Sequence, residues 1–205
     1  MESKFLLAFL LVTVIIIPYL FINPWLETKK TRCRPATKLD QKVPFKPKWV
    51  WIYLMAYPFN TGGILWLFMT SPSKIVQKEL ICYISLTLFI IIIWVLYPSR
   101  IERIENFSET KTKSIKFIKW FQKKFPPYCS FPSLHTAFSW LTAAFFLYHF
   151  GTGIGVPMII AAGLITASTF FTKQHYFLDA VISGIIVGTL ILTLHLTNFI
   201  KFPIS

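Results

Sequence analysis

PSLHTAFSWLTAAFFLYHFGTGIGVPMIIAAGLITASTFFTKQHYFLD, residues 132–179, decides how this chain folds. The stretch holds two apolar runs, 133–148 and 153–171, joined by a Gly-Thr-Gly turn at 151–153. Each run approaches the roughly 20 residues that cross a bilayer as helix. Two passes in succession return the chain to the side it left. His135 opens the first run, while His175 and Asp179 open the run that follows the second. All three are therefore expected on one face. Ionisable groups at membrane depth are expensive and mark function.

The same pattern continues outward. Six apolar runs cover 5–22, 49–69, 81–97, 133–148, 153–171 and 177–196. The chain is 55% hydrophobic and 14% charged, with its apolar residues gathered in these runs rather than dispersed as in a soluble domain. The fold class expected is all-α: one polytopic membrane domain over residues 1–205, a six-transmembrane-helix bundle with no soluble domain attached. The first run is longer than the roughly 7–15 apolar residues of a secretory signal. Pro24 and Trp25 follow it, not a small-x-small cleavage site, so it is expected to stay as the first helix.

The loops are charged unequally. Of the 21 Lys and Arg, 17 fall in the 23–48, 98–132 and 172–176 connections, on the side that carries His135 and His175. Basic residues near a membrane surface attract anionic lipid, and they also set orientation. Within the long 98–132 loop, helical spacing puts Ile115, Phe117, Ile118, Phe121 and Phe125 on one side and Lys113, Lys116, Lys119, Lys123 and Lys124 on the other. Pro126 and Pro127 end the pattern. An amphipathic helix lying in the interface is expected between helices 3 and 4. The alternative is a helix packed on the protein's own bundle.

Metal-free phosphoryl transfer needs a nucleophile, an acid for the leaving oxygen and positive charge around the other oxygens. His175 and Asp179 are spaced i, i+4 and share a helix face if the last helix starts at or before His175. The carboxylate can accept a hydrogen bond from the Nδ1 proton of His175, which leaves Nε2 free to attack phosphorus. His135 can protonate the departing oxygen and later activate water. Ser133, at the opening of its helix, can cap it or donate to phosphate, and Pro132 sets the approach of the chain. Lys173, Arg100 and Arg103 are further candidates for phosphate binding. Each has a plainer reading: interfacial histidines often touch only headgroups, and arginines after a helix end often serve as anchors. His149 and His195 fit that plainer description.

At these residues the chain resembles the type 2 phosphatidic acid phosphatase superfamily. It looks most like the branch that includes inositol phosphorylceramide synthases, which carries a Pro-Ser-Leu-His element and a later His-Tyr-x-x-Asp element. Here those are residues 132–135 and 175–179. The resemblance implies a six-helix membrane fold and transfer through a phosphohistidine without a metal or other cofactor. It implies His175 as nucleophile, Asp179 as its orienter and His135 as general acid. The superfamily's Lys-x6-Arg-Pro element is missing, and its Ser-Arg before the second histidine reads Ser168-Thr169. Arg100, Arg103 and Lys173 are the stand-ins expected for those charges.

The function expected is a lipid phosphate phosphatase acting on an amphiphilic phosphomonoester or diphosphate. A phosphotransferase would resolve the same intermediate with an alcohol. A non-enzymatic lipid or anion transporter would use His and Asp as pathway residues, but should then place charges toward the opposite side as well. Membrane lipids and a lipid phosphate are the expected partners, and nucleic acid is not. The location expected is a bacterial inner membrane. Charge bias puts the site in the cytoplasm, whereas the resemblance favours the periplasmic or lumenal face. Cys33 and Cys129 lie on one side and would pair only if that side is oxidising; two free thiols is the plainer reading.

Overall fold

The computed structural model describes residues 2–28, 33–104, 107 and 112–200. Lys29, Lys30, Arg32, Lys111 and Lys201 lie outside them. The order of elements is α1 (Glu2–Glu27), α2 (Lys38–Lys42), a 3-10 turn (Pro47–Trp49), α3 (Val50–Leu54), α4 (Ala56–Thr70), α5 (Ser73–Leu96), α6 (Lys113–Lys124), α7 (Leu134–Phe171) and α8 (Phe177–Leu196). No strand forms among the described residues. Cys33 with Ser99, and Arg100 with Tyr128, make isolated bridges. Helices α5, α7 and α8 are long and apolar enough to cross a membrane. Leu96 is 77% and Phe21 73% exposed, the kind of surface that suits lipid rather than water. The protein is all-helical and membrane-embedded.

Six separate spanning helices do not appear in that form. The run at 49–69 is divided among the 3-10 turn, α3 and α4, with the break at Met55. The third helix starts at Ser73 rather than 81, set by Pro72 at its N-cap. The fourth and fifth runs join in α7, interrupted at Gly151 (φ 67°, ψ −166°). That backbone region is open essentially to glycine alone.

Nor is α7 a straight rod. A Cβ added to Gly155 would stand 2.5 Å from the Leu147 Cα. Residues eight apart on a straight helix are about 12 Å apart along its axis. The chain therefore folds back at Gly151, and its two arms meet where only a glycine fits.

Helix α6 forms where the spacing expects it. Its start is capped by Thr112, whose hydroxyl accepts from the Ile115 N–H at 3.4 Å. Its posture differs from the interfacial one. Ile115 and Ile118 are buried, Phe117 packs on Trp51 and Phe121 on Tyr53. The apolar face is thus taken up by protein, because α3 offers aromatic rings at that level. The five lysines remain exposed.

Within the bundle, α1 packs on α5, while α4 and α8 pack on α7. Polar side chains buried between helices find each other. Tyr83 and Thr142 hydroxyls meet at 2.9 Å, and the Ser139 hydroxyl donates to Asn60 Oδ1 at 3.3 Å. In lipid, contacts of this kind replace part of the hydrophobic drive.

The helix ends sort into two groups. At one end Lys4 Nζ donates to the Ser71 carbonyl at 2.7 Å, Lys78 Nζ to the Phe199 carbonyl at 2.6 Å, and His149 Nε2 lies 2.5 Å from Glu79 Oε1. At the other end the Cys33 N–H donates to the Pro98 carbonyl at 2.8 Å, the Lys46 N–H to the Phe171 carbonyl at 2.9 Å and the Ser133 N–H to the Asp179 carbonyl at 3.4 Å. All three cysteines are free. Burial pushes the Cys129 thiol up to about 12.

Candidate active site

The turn between α7 and α8 builds one half of the site. Helix α7 ends with the Lys173 N–H bonded to the Phe170 carbonyl at 3.1 Å and the Gln174 N–H to the Thr169 carbonyl at 2.9 Å. This is the double bond pattern of a Schellman ending, with Lys173 in the left-handed region at φ 56°. Glycine is the usual residue there, because a Cβ is strained in that region. Lys173 has other ties: its Nζ donates to the Asp40 carbonyl at 2.7 Å and the Val43 carbonyl at 2.6 Å. Burial lowers its pKa from the ordinary lysine value, with Asp40 opposing. The ammonium thus fastens the turn to the segment before α3, and the chain reaches His175 two residues later.

Helix α8 then starts with two carboxylates on its free N–H groups. Asp179 Oδ2 accepts from the Tyr176 N–H at 2.9 Å, and Asp40 Oδ1 from the Phe177 N–H at 2.7 Å. Acids at a helix N-terminus are stabilised by the orphan donors and the dipole.

The same Asp179 oxygen lies 3.2 Å from His175 Nδ1, and the Ser130 carbonyl lies 3.1 Å from that nitrogen. The Ser130 carbonyl can only accept, and Asp179, when ionised, also only accepts. Nδ1 therefore carries the proton, and the neutral ring presents the Nε2 lone pair. His175 is 8% and Asp179 0% exposed. Asp179 Oδ1 has no hydrogen-bond partner.

The first arm of α7 supplies the other half. Ser133 is fully buried at its N-cap, and its hydroxyl accepts from the Thr136 N–H at 3.3 Å. The Ser133 carbonyl accepts from the Ser183 hydroxyl at 3.0 Å, which locks this end of α7 to α8. The Trp94 indole N–H holds the Pro132 carbonyl at 3.1 Å. Two residues past Ser133, the His135 ring lies 6.1 Å, centroid to centroid, from His175. Tyr53 and Tyr57 flank it at 5.7 and 5.3 Å.

A cavity of about 310 Å³ opens beside His175, between residues 36–43 and 101–104, and Arg103 and Lys173 also line it. Arg103 donates to Gln174 Oε1 at 3.2 Å and to the Phe125 carbonyl at 2.7 Å, while its buried Nε has no partner. Burial lowers its pKa from the ordinary arginine value. Arg100 also has a buried, unpartnered Nε, but it is not part of the cavity wall.

The structure thus brings His135, His175 and Asp179 together and sets Arg103 and Lys173 on a shared cavity. It leaves Ser133 as a buried cap and Arg100 outside that wall. Sequence reasoning missed Tyr53 and Tyr57, although their i, i+4 spacing could have placed them on one face. It missed the role of Asp40 at α8, and the Ser130 carbonyl is a backbone group with no side-chain signal. Among the described residues, no group of three or more His, Cys, Asp and Glu is placed to hold a metal ion.

No curated protein and no solved structure matches the chain. The model of one family does: it spans residues 37–194, from the segment before α3 to nearly the end of α8, and takes in both histidine motifs, so the chain belongs to the PAP2 superfamily.

Proposed function

We propose that this protein is a lipid phosphate phosphatase working through a phosphohistidine. The observation that carries the reading is His175, with its Nδ1 proton held by Asp179 and the Ser130 carbonyl and the His135 ring 6.1 Å away. The two rings are thus close enough to act on one phosphoryl group, His175 as the attacking base and His135 on the leaving oxygen. Membership of the PAP2 superfamily supports phosphatase chemistry on a lipid phosphate in general.

Nε2 of His175 forms a bond to phosphorus as the bond to the leaving oxygen breaks. The electron pair goes to that oxygen, which takes a proton from protonated His135. Asp179 stabilises the positive ring of the phosphohistidine. Neutral His135 then removes a proton from water, the water oxygen bonds to phosphorus, and the P–N bond breaks back to Nε2. Arg103 supplies charge to the phosphate from the cavity wall, with Arg100 behind it. Lys173 and Ser133 hold the two histidine-bearing turns in place.

The cavity favours a second reading. Its volume of about 310 Å³ far exceeds the about 10–15 Å³ that one water needs on the same measure, so an acceptor alcohol could resolve the same intermediate. We further propose six passes, with the two arms of α7 as the fourth and fifth. The site end is assigned to the exported face of a bacterial inner membrane. The sorting of contacts into two ends supports the six passes, and a phosphate-binding role accounts for lysines and arginines on an exported face.

The test is phosphate release by purified protein from a panel of lipid phosphates in EDTA, beside His175→Ala. Release that the variant loses is the expected result. No release from any lipid, with or without an added alcohol, sinks the proposal.

A further inference from the structure

Residues 130–133, the link that leads into α7, are held from several sides. The Ser99 hydroxyl accepts from the Phe131 N–H at 3.0 Å and meets the Ser130 hydroxyl at 2.9 Å. Trp94 of α5 holds the Pro132 carbonyl, and the Ser130 carbonyl reaches His175 Nδ1. Ser183 is the side chain that fixes the same link against α8.

Ser183 lies one helical turn beyond Asp179 and is fully buried. Its hydroxyl has one proton and faces two carbonyl oxygens, that of Asp179 at 2.6 Å and that of Ser133 at 3.0 Å. A bond to the carbonyl four residues back is ordinary for a serine in a helix. The second oxygen belongs to another helix, 50 residues away in sequence. Beside it, the Ser133 N–H donates to the same Asp179 carbonyl at 3.4 Å. Both partners bear on the site: Ser133 stands two residues before His135, and the Asp179 carboxylate holds His175. Without the hydroxyl, two carbonyl oxygens face one space with no proton between them, and their like partial charges drive the two helix starts apart. The fold survives that loss, because the Ser133 carbonyl keeps the Ala137 N–H at 3.0 Å and α7 still begins there.

We propose that Ser183 is a positioning residue that sets the separation of His135 from His175. It acts through the backbone: its proton pins the opening of α7 to the turn that carries Asp179. The two rings keep the spacing that serves one phosphoryl group while that pin holds. This rests on the lipid phosphate reading above.

Phosphate release from 1,2-dioleoyl-glycerol 3-phosphate in detergent micelles is measured for the wild type, Ser183→Ala, Ser183→Thr and Thr142→Val, with thermal midpoints for all. Thr142→Val is the control: it removes another buried interhelical hydroxyl, bonded to Tyr83 at 2.9 Å, further along α7. Ser183→Ala is expected to lower kcat by about 10²-fold, the cost of a misplacement of roughly 1 Å, and to leave KM nearly unchanged. Ser183→Thr keeps the hydroxyl and restores most of kcat. Thr142→Val lowers the midpoint as Ser183→Ala does, yet keeps the wild-type kcat. The ring contact is read separately, as a nuclear Overhauser effect between His135 and His175 in histidine-labelled protein, assigned with His135→Ala. It weakens in Ser183→Ala and stays in Thr142→Val. If Ser183→Ala does not insert, Ser183→Cys, a weaker donor, takes its place with the same outcomes.

A wild-type kcat in Ser183→Ala overturns the assignment, and so does an equal loss of kcat in Thr142→Val, which marks a general loosening. A Ser183→Thr enzyme as slow as Ser183→Ala at a wild-type midpoint overturns it too. If the wild type releases no phosphate but the ring contact weakens in Ser183→Ala alone, the reaction is wrong and the positioning role stands. If it releases none and the contact is unchanged, both fall.

Discussion

Asp179 shows how much one carboxylate oxygen can do. Its Oδ2 accepts hydrogen bonds from His175 Nδ1–H and from the Tyr176 N–H, so it orients the proposed nucleophile and starts the helix that carries itself. Asp179→Asn keeps the shape and an acceptor but loses the charge that stabilises a positive ring. A loss of phosphate release smaller than that of His175→Ala is expected, and full activity would remove Asp179 from the site. His135→Ala removes the proposed proton donor, and a loss of about 10²–10⁴-fold is expected. The variant should still insert, because the His135 ring meets tyrosines and His175 rather than the bundle core. The spacing of His175 and Asp179 suggested their contact through a shared helix face, but α8 begins only at Phe177, and the pair meets across the turn that starts the helix. The tautomer was not legible, because the Ser130 carbonyl reaches Nδ1 from a loop 45 residues earlier in sequence. Lys173 was legible as a charge near the site, but not as a left-handed helix ending tied to two carbonyls.

Among the elements, α7 carries the fold. Its reversal at Gly151 brings two passes together, and the Gly-Thr-Gly turn announced that in the sequence. Beside the reversal, His149 of α7 meets Glu79 of α5, whose side chain is fully buried. Removing one partner of such a pair leaves an unpaired buried group, at a cost of about 3–5 kcal/mol. His149→Ala is therefore expected to lower the thermal midpoint of the purified protein sharply. The double variant Glu79→Met with His149→Leu should recover much of the loss, because two apolar groups leave no charge behind. If His149→Ala melts like the wild type, the pair is not a clamp. Hydropathy could not show the break at Met55 that divides the second run, since the residues on both sides stay apolar. It also could not show what α6 packs on. The periodicity of α6 defines an apolar face, and only the aromatic rings of α3 determine that the face meets protein.

Across the whole molecule, Lys4 with Ser71, Lys78 with Phe199 and Glu79 with His149 gather at one end, and the histidine site at the other. Both termini are thus proposed to share a compartment. Reporter fusions at the N- and C-terminus should give the same answer, and a reporter in the 98–132 loop the opposite one. Termini reporting different sides would sink the six-pass arrangement. The site end also carries most of the basic residues, so reporters decide between the positive-inside rule and a phosphate-binding reason for that charge.

By itself, the sequence determined that the chain is helical and membrane-embedded, and that two histidines and an aspartate open helices on one side. Hydrophobic run length and i, i+4 spacing are local properties, and both survive without knowledge of the fold. Tertiary structure alone decided the Ser130 carbonyl as second partner of Nδ1, the cavity shared by Arg103 and His175 and the tyrosines around His135. Each of those joins residues far apart in the chain. Such contacts depend on how helices pack and where they bend, and no local pattern encodes that.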